Sequence, residues 1–449
     1  MRDLISVAVG KTVRAIARLR GGGSALPGLV VERMDPGFMG RVLGRLPLGV
    51  VAVSGTNGKT TTTKMIVEML ESQGLRVFTN RTGSNYSRGV VAAALEQCSL
   101  RGRIDADVAV LELDEAHAMY FIERVKPRFT LLLNVLRDQL DRYGEVDTTA
   151  RYLQRIADAT SEVLVVNRED RLVAAIGERT RERASGGGPE VREFGLAPAL
   201  VAMFPSDEDY AAGSAVAVRA SEVPAAPEAD TGAPADVVLV ALDRNRGTFR
   251  IDGIDHETPL LLEGLYNTFN AAAALVTVRA VVAAAPIHPG RTREAETASL
   301  IAALSAVRPA FGRGERLELD GQALELVLVK NPAGFRLGLA SFDPEGVATM
   351  IAINDQYADG RDMSWLWDVD FTSLVAGGVD TVSGTRAWDM ALRLQHDDVR
   401  VGVVEEHLER ALDGFRRRTL GGPRRIYCSY TAMLALRRRL GDLTEVEEI

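Results

Sequence analysis

Gly55-Thr56-Asn57-Gly58-Lys59-Thr60-Thr61-Thr62 follows the apolar run Leu48 to Ser54 and opens a segment, Thr60 to Gln73, whose apolar spacing is helical. A buried strand, a Gly turn and a helix in that order make a phosphate-binding loop at the head of an α/β unit. The glycines let backbone N–H groups approach phosphate oxygens, and the helix N-terminus favours negative charge. Lys59 is placed to reach the outer phosphates and the Thr60 hydroxyl to bind Mg²⁺, with Gly55, Thr56, Asn57, Gly58 and Thr61 lining the loop. ATP and Mg²⁺ are therefore the expected ligands. Val53 replaces the first glycine of the longer G-x-x-x-x-G-K-[ST] pattern, which leaves the shorter G-x-x-G-K-T form.

Outward from the loop the same alternation continues. Val77–Thr79, Asp107–Glu112, Phe129–Asn134 and Val163–Asn167 read as strands, each followed by a plausible helix, the pattern of a parallel sheet with crossover helices. From Ala184 to Asp236 the composition shifts to Gly, Pro, Ala and acidic residues, which reads as a low-complexity insertion. Strands resume at Val237–Ala241 and Thr248–Ile251, and Asn267 to Ala285 reads as a helix. After a hinge zone at Pro286 to Pro289, Ala323–Val329, Thr349–Ile353, Thr381–Ser383, Val401–Val404 and Arg425–Tyr427 read as the strands of a second sheet. The expected fold is α/β: a central P-loop domain with a parallel sheet over 47–305, carrying the insertion 184–236, and a C-terminal Rossmann-like α/β domain over 306–449. Residues 1–46 read as a basic amphipathic helix and a linker.

Composition narrows the classes. A net charge of −8 argues against a protein that grips nucleic acid through a basic surface. Cys98 and Cys428 are far apart and form no CxxC pair, so neither a disulfide framework nor a cysteine zinc site is expected. The most apolar stretch, Ala271 to Pro286, is interrupted by Arg279 and is too short for a membrane span, and the N-terminus lacks the apolar core of a signal peptide. A cytoplasmic protein is expected, with peripheral contact between its basic N-terminal helix and a membrane face as a minor reading.

The loop Gly55 to Thr62 resembles that of the Mur ligase superfamily, whose members form peptide bonds through acyl phosphates. By this resemblance Glu112, in Leu111-Glu112-Leu113 at a strand end, is the family's Mg²⁺-binding glutamate and the second-metal ligand. Gly264-Leu265-Tyr266-Asn267-Thr268-Phe269-Asn270-Ala271 is similar to a family segment that sets Asn267 near the nucleotide. In Phe311 to Arg316, Arg313 matches an arginine that meets the γ-phosphate, and Asn331 in Lys330-Asn331-Pro332 opens a nucleotide-facing loop of the C-terminal domain. Lys59, Glu112 and Arg313 are the expected catalytic set.

Two departures sharpen this. Gln139 stands where the family carries a metal-binding histidine, and Gln154 or neighbouring arginines replace the carbamylated lysine of amino-acid-adding members. Residues 351–371 instead pack Asp355, Asp359, Asp362, Asp368 and Asp370 around Trp365 and Trp367. With Ser383-Gly384-Thr385-Arg386 and Tyr430-Thr431, this stretch resembles the MurT family, ligase subunits of lipid II isoglutaminyl synthase. The resemblance implies lipid II as substrate, amidation of its D-glutamate α-carboxylate, and a separate class I glutaminase subunit, GatD-like, that supplies ammonia. Neither cysteine lies in a Gly-x-Cys-x-Gly elbow, which agrees with a separate nucleophile. Asp362 is expected to complete the partner's triad, with Asp359 as runner-up. The rival readings are a ligase adding an amino acid, as in folylpolyglutamate enzymes, and a nucleotide-binding scaffold without chemistry.

Overall fold

The computed structural model describes residues 2–19, 26–80, 87–136, 146–184, 186–201, 203–204, 235–243, 246–261, 265–285, 292–308, 313–341, 344–360 and 362–446. The first sheet contains Val50–Ser54 (β1), Val77–Thr79 (β2), Val108–Glu112 (β3), Phe129–Leu132 (β4), Val163–Asn167 (β5), Glu190–Leu196 (β6), Val237–Asp243 (β7), Arg246–Ile251 (β8) and Ile254–Pro259 (β9). Its order is β2-β3-β1-β4-β5-β6-β7-β8-β9. β1, β3 and β5 are valine-rich and buried along their whole length, as central parallel strands must be.

The parallel arrangement runs from β2 to β7, and β8 and β9 close the edge antiparallel. The expected parallel sheet is thus mixed at this end. Asp252 and Gly253, with φ of 51° and 80°, make the two-residue turn between β8 and β9, a connection far too short for a crossover helix. A second correction concerns 184–236, where β6 and the short helix Pro198–Val201 occupy what reads as insertion. Phe194 and Leu196 of β6 are buried in the core, so a few apolar residues outweigh the polar composition around them. Residues 205–234 lie outside the described residues.

Residues 26–43 are likewise not a linker. Leu26–Met34 and Phe38–Leu43 are helices that pack with the N-terminal helix Arg2–Leu19 and with Ser87–Gln97. Val7, Val31, Phe38 and Val42 belong to the same buried cluster as Val50, Leu111 and Leu164. Burying each such side chain is worth roughly 1.5–3 kcal/mol, which ties this segment to the first sheet.

The apolar helix Leu265–Ala283 lies against β6, β7 and the helix Lys59–Ser72, with 83% of its most apolar window buried. It is a core helix, and its alanine run, Ala271 to Ala274, is fully buried.

The second sheet contains Arg313–Leu319 (β10), Gln322–Leu328 (β11), Ala348–Ala352 (β12), Val379–Ser383 (β13), Val401–Glu405 (β14) and Arg424–Cys428 (β15), ordered β10-β11-β15-β12-β13-β14. Asp320-Gly321, again at positive φ, turns β10 back antiparallel on β11, and the other neighbours are parallel. The parallel strands send their following loops to one edge, and the loop after β11 meets the phosphate loop of the first sheet.

Candidate functional site

β1 lies between β3 and β4, with Val53 opposite Glu112 and Ser54 opposite Leu132, so three strands end together at one edge. Such a switch point is where open α/β sheets bind ligands. Gly55 (φ 131°) and Gly58 (φ 88°) carry the chain from β1 into the helix Lys59–Ser72. A Cβ at Gly55 would come within 2.9 Å of the Asn134 nitrogen, and one at Gly58 within 2.8 Å of the Asn270 amide. Only glycine fits both places. The first intrahelical bond runs from the Thr62 N–H to the Gly58 carbonyl, so the amides of Lys59, Thr60 and Thr61 have no acceptor within the helix. Amides so placed at a helix N-terminus favour an anion.

Asn134 braces the loop, accepting from the Asn57 N–H at 2.8 Å and donating to the Asn57 carbonyl at 3.1 Å. The Thr60 hydroxyl donates to Glu112 Oε2 at 2.7 Å. The backbone of Glu112 is bracketed by Asn80, which donates to its carbonyl and accepts from its N–H, both at 3.1 Å. Thr60 and Glu112 are thus brought together, a hydroxyl and a carboxylate of the oxygen donor type that Mg²⁺ prefers. Among the described residues no group of three or more His, Cys, Asp or Glu is arranged to hold a metal.

Lys59 is folded into its own loop. Its Nζ donates to the Gly55 carbonyl at 2.5 Å and the Thr56 carbonyl at 3.3 Å, and meets Glu115 Oε1 at 3.1 Å. Burial pushes the Glu115 carboxyl up, against the pull of Lys59 and Lys330.

The second sheet completes the site. Asn331 and Asn57 exchange two side-chain hydrogen bonds, at 3.0 and 3.2 Å, and Lys330 Nζ donates to the Thr56 carbonyl at 3.1 Å. Asn331 Oδ1 also accepts from the Gly334 N–H, which fixes it at the start of the helix Pro332–Ser341. Asn267 sits half-buried in the first turn of Leu265–Ala283, whereas Asn270, one turn on, is the residue against Gly58. Arg313 begins β10, and its side chain lies outside the described residues, as do Gln139 and Gly264. Gln154 is bound into a surface network with Asp158 and Arg179, away from the loop. The spacing that marks Lys59, Thr60 and Glu112 passes over Glu115, Asn270 and Lys330. Lys330 had a signal, being one of five lysines in the chain and adjacent to Asn331.

A second cluster lies at the carboxyl edge of the second sheet. Asn354 donates to the Thr431 hydroxyl and accepts from the Thr385 N–H, which joins the three separated segments 351–371, 383–386 and 430–431. Asp359 is buried and accepts from the N–H (2.7 Å) and hydroxyl (2.5 Å) of Thr431. Asp362 is half-buried, with Oδ1 accepting from the Ser364 N–H. Asp355 is held by the Thr385 hydroxyl at 2.8 Å and lies 3.7 Å from Arg386. The tryptophans divide: Trp365 enters the core beside Phe335, while Trp367 is 49% exposed. Trp388 and Leu392, on the helix Ala387–His396, are 64% and 56% exposed, and Trp367 meets His396 of that helix edge-on. Cys98 and Cys428 are buried, and burial pushes both thiols up, which suits neither to nucleophilic attack.

Comparison with known proteins places these features in a family. The family model described as the Mur ligase middle domain matches residues 53–278, just over half of the 449-residue chain, and the model of the MurT ligase C-terminal domain matches residues 328–433. The chain is similar to the MurT subunit of lipid II isoglutaminyl synthase of Streptococcus pneumoniae, 26% identical with 98% of each chain covered. It is also similar to that of Staphylococcus aureus, 24% identical with 90% of each covered. Among solved structures the fold resembles MurF ligase of Thermotoga maritima, determined with ADP, at a TM-score of 0.63 and 16% identity over 91% of this chain and 82% of the other.

Proposed function

The chain belongs to the Mur ligase family, and from that premise we propose that it is the ligase subunit of an enzyme amidating lipid II. The reaction is ATP-dependent phosphorylation of the D-glutamate α-carboxylate in the stem peptide, followed by attack of ammonia on the acyl phosphate. Phosphate leaves, and D-isoglutamine is formed. The observation that carries this reading is the likeness to the MurT relatives along nearly the entire chain, through both the phosphate loop and the Asp/Trp loop.

Gly55, Thr56, Asn57, Gly58 and the amides of Lys59, Thr60 and Thr61 hold the phosphates, with Asn267 and Asn331 on the nucleotide. Lys59 and Arg313 face the transferring phosphoryl group, where preorganised positive charge counts most. Thr60 and Glu112 would hold Mg²⁺, which neutralises charge on the phosphate oxygens when bound. Nucleotide entry requires Lys59 to leave the Gly55 and Thr56 carbonyls.

Ammonia comes from a GatD-like class I glutaminase. The exposed stripe of Trp388, Leu392 and Trp367 supports docking of that partner beside the Asp cluster. Asp362 completes the partner's Cys-His pair. Asp359, the runner-up, is buried and holds Thr431 with both oxygens, which favours Asp362 for that role. Leu4, Ile5 and Ile16 lie exposed on the N-terminal helix, which supports peripheral contact with the membrane that carries a lipid-linked substrate.

The test is reconstitution of the chain with its glutaminase partner on lipid II, ATP and glutamine. We expect ADP formation and the mass loss that accompanies exchange of a hydroxyl for an amino group on the stem peptide. Addition of an amino acid instead, or nucleotide binding with no ADP in any mixture, would overturn the amidation reading.

A further inference from the structure

Two ammonium groups from opposite sides of the domain boundary converge on one carbonyl oxygen. Lys59 and Lys330 both donate to the Thr56 carbonyl, at 3.3 and 3.1 Å. Like charges repel at such separations unless counter-charge is close. Glu115 supplies one negative charge to the two cations and is itself buried against Lys59. Both ammonium groups thus lie on the phosphate loop, at the place where the helix N-terminus already favours an anion.

Lys330 does not reach this position by chance of a long side chain. The residue beside it, Asn331, is locked by two hydrogen bonds to Asn57 and by its bond to the Gly334 N–H, and Val329 is held in register by the Cys428 carbonyl. The stem of Lys330 is thus fixed from both sides while its tip lies on the phosphate loop.

We propose that Lys330 is a second phosphate-binding cation of this site, supplied by the second sheet's domain, and that it grips the outer phosphates of a nucleoside triphosphate together with Lys59. This rests on the nucleotide reading given above. The test measures the affinity of the full chain for a non-hydrolysable ATP analogue and for AMP, each with Mg²⁺, in the wild type, Lys330→Gln, Lys330→Met and Lys330→Arg. The readout is the ratio of the two affinities, which is insensitive to any general loss of folded protein.

Loss of a charge-assisted contact to phosphate should lower that ratio about tenfold in Lys330→Gln and Lys330→Met, with most of it retained in Lys330→Arg. An unchanged ratio in the Gln and Met variants would assign Lys330 to domain docking alone and overturn the proposal. Failure of the wild-type chain to prefer the triphosphate over AMP would overturn the nucleotide reading, and this inference with it.

Discussion

Asp359 and Asp362 stand three residues apart in one loop and meet opposite surroundings. Asp359 is buried with both oxygens bound to Thr431, whereas Asp362 is half-buried and accepts from the Ser364 N–H. Composition alone marks this loop as acidic and aromatic and cannot say which carboxylate faces out. Replacing Asp362 by Asn should abolish glutamine-dependent amidation in the reconstituted enzyme and spare ammonia-dependent amidation. Equal loss of both activities would sink the role for Asp362. The same split seen in Asp355→Asn instead would move the role to Asp355, the other carboxylate tied to Thr385 at this edge. At the phosphate loop the residue types are legible because the chemistry demands them at fixed spacing. Glu115 and Asn270 escape, since their partners Lys59 and Gly58 are far away in sequence.

The C-terminal helix Tyr430–Gly441 depends on a distant residue for its start. Ser429 makes no side-chain cap bond, and the Thr431 N–H is instead taken by Asp359, whose charge also suits the helix N-terminus. Asp359→Ala should therefore lower the folding stability of the full chain by about 1–3 kcal/mol, read from the denaturation midpoint at constant slope. An unchanged midpoint would show that the helix end finds another acceptor at no cost. Element types were largely readable: β1, β3 and β5 are short apolar runs, and the helix Lys59–Ser72 follows a Gly turn. The hairpins β8–β9 and β10–β11 were missed although each carries an Asp-Gly pair. β6 was hidden because its first half, Glu190 to Glu193, is polar and only partly buried, although the strand pairs with β5 and β7 on both sides.

At the scale of the molecule, the two sheets meet through the Asn57–Asn331 amide pair and Lys330, at the point where phosphates would bind. Ligand binding and domain contact therefore share residues. A double-mutant cycle on Asn57→Ala and Asn331→Ala should return a coupling of about 1 kcal/mol in chemical denaturation, the size of one net hydrogen bond. Strict additivity would mean that the two domains do not hold each other through this pair.

What the sequence determined by itself is the α/β class and the phosphate loop, because strand periodicity and glycine requirements act over a few residues. The tertiary structure alone decided that 26–43 belongs to the first core, that the stretches 351–371, 383–386 and 430–431 form one cluster, and that Lys330 reaches Thr56. Such contacts join residues tens to hundreds of positions apart, where the order of strands in a sheet, rather than spacing along the chain, sets the distance.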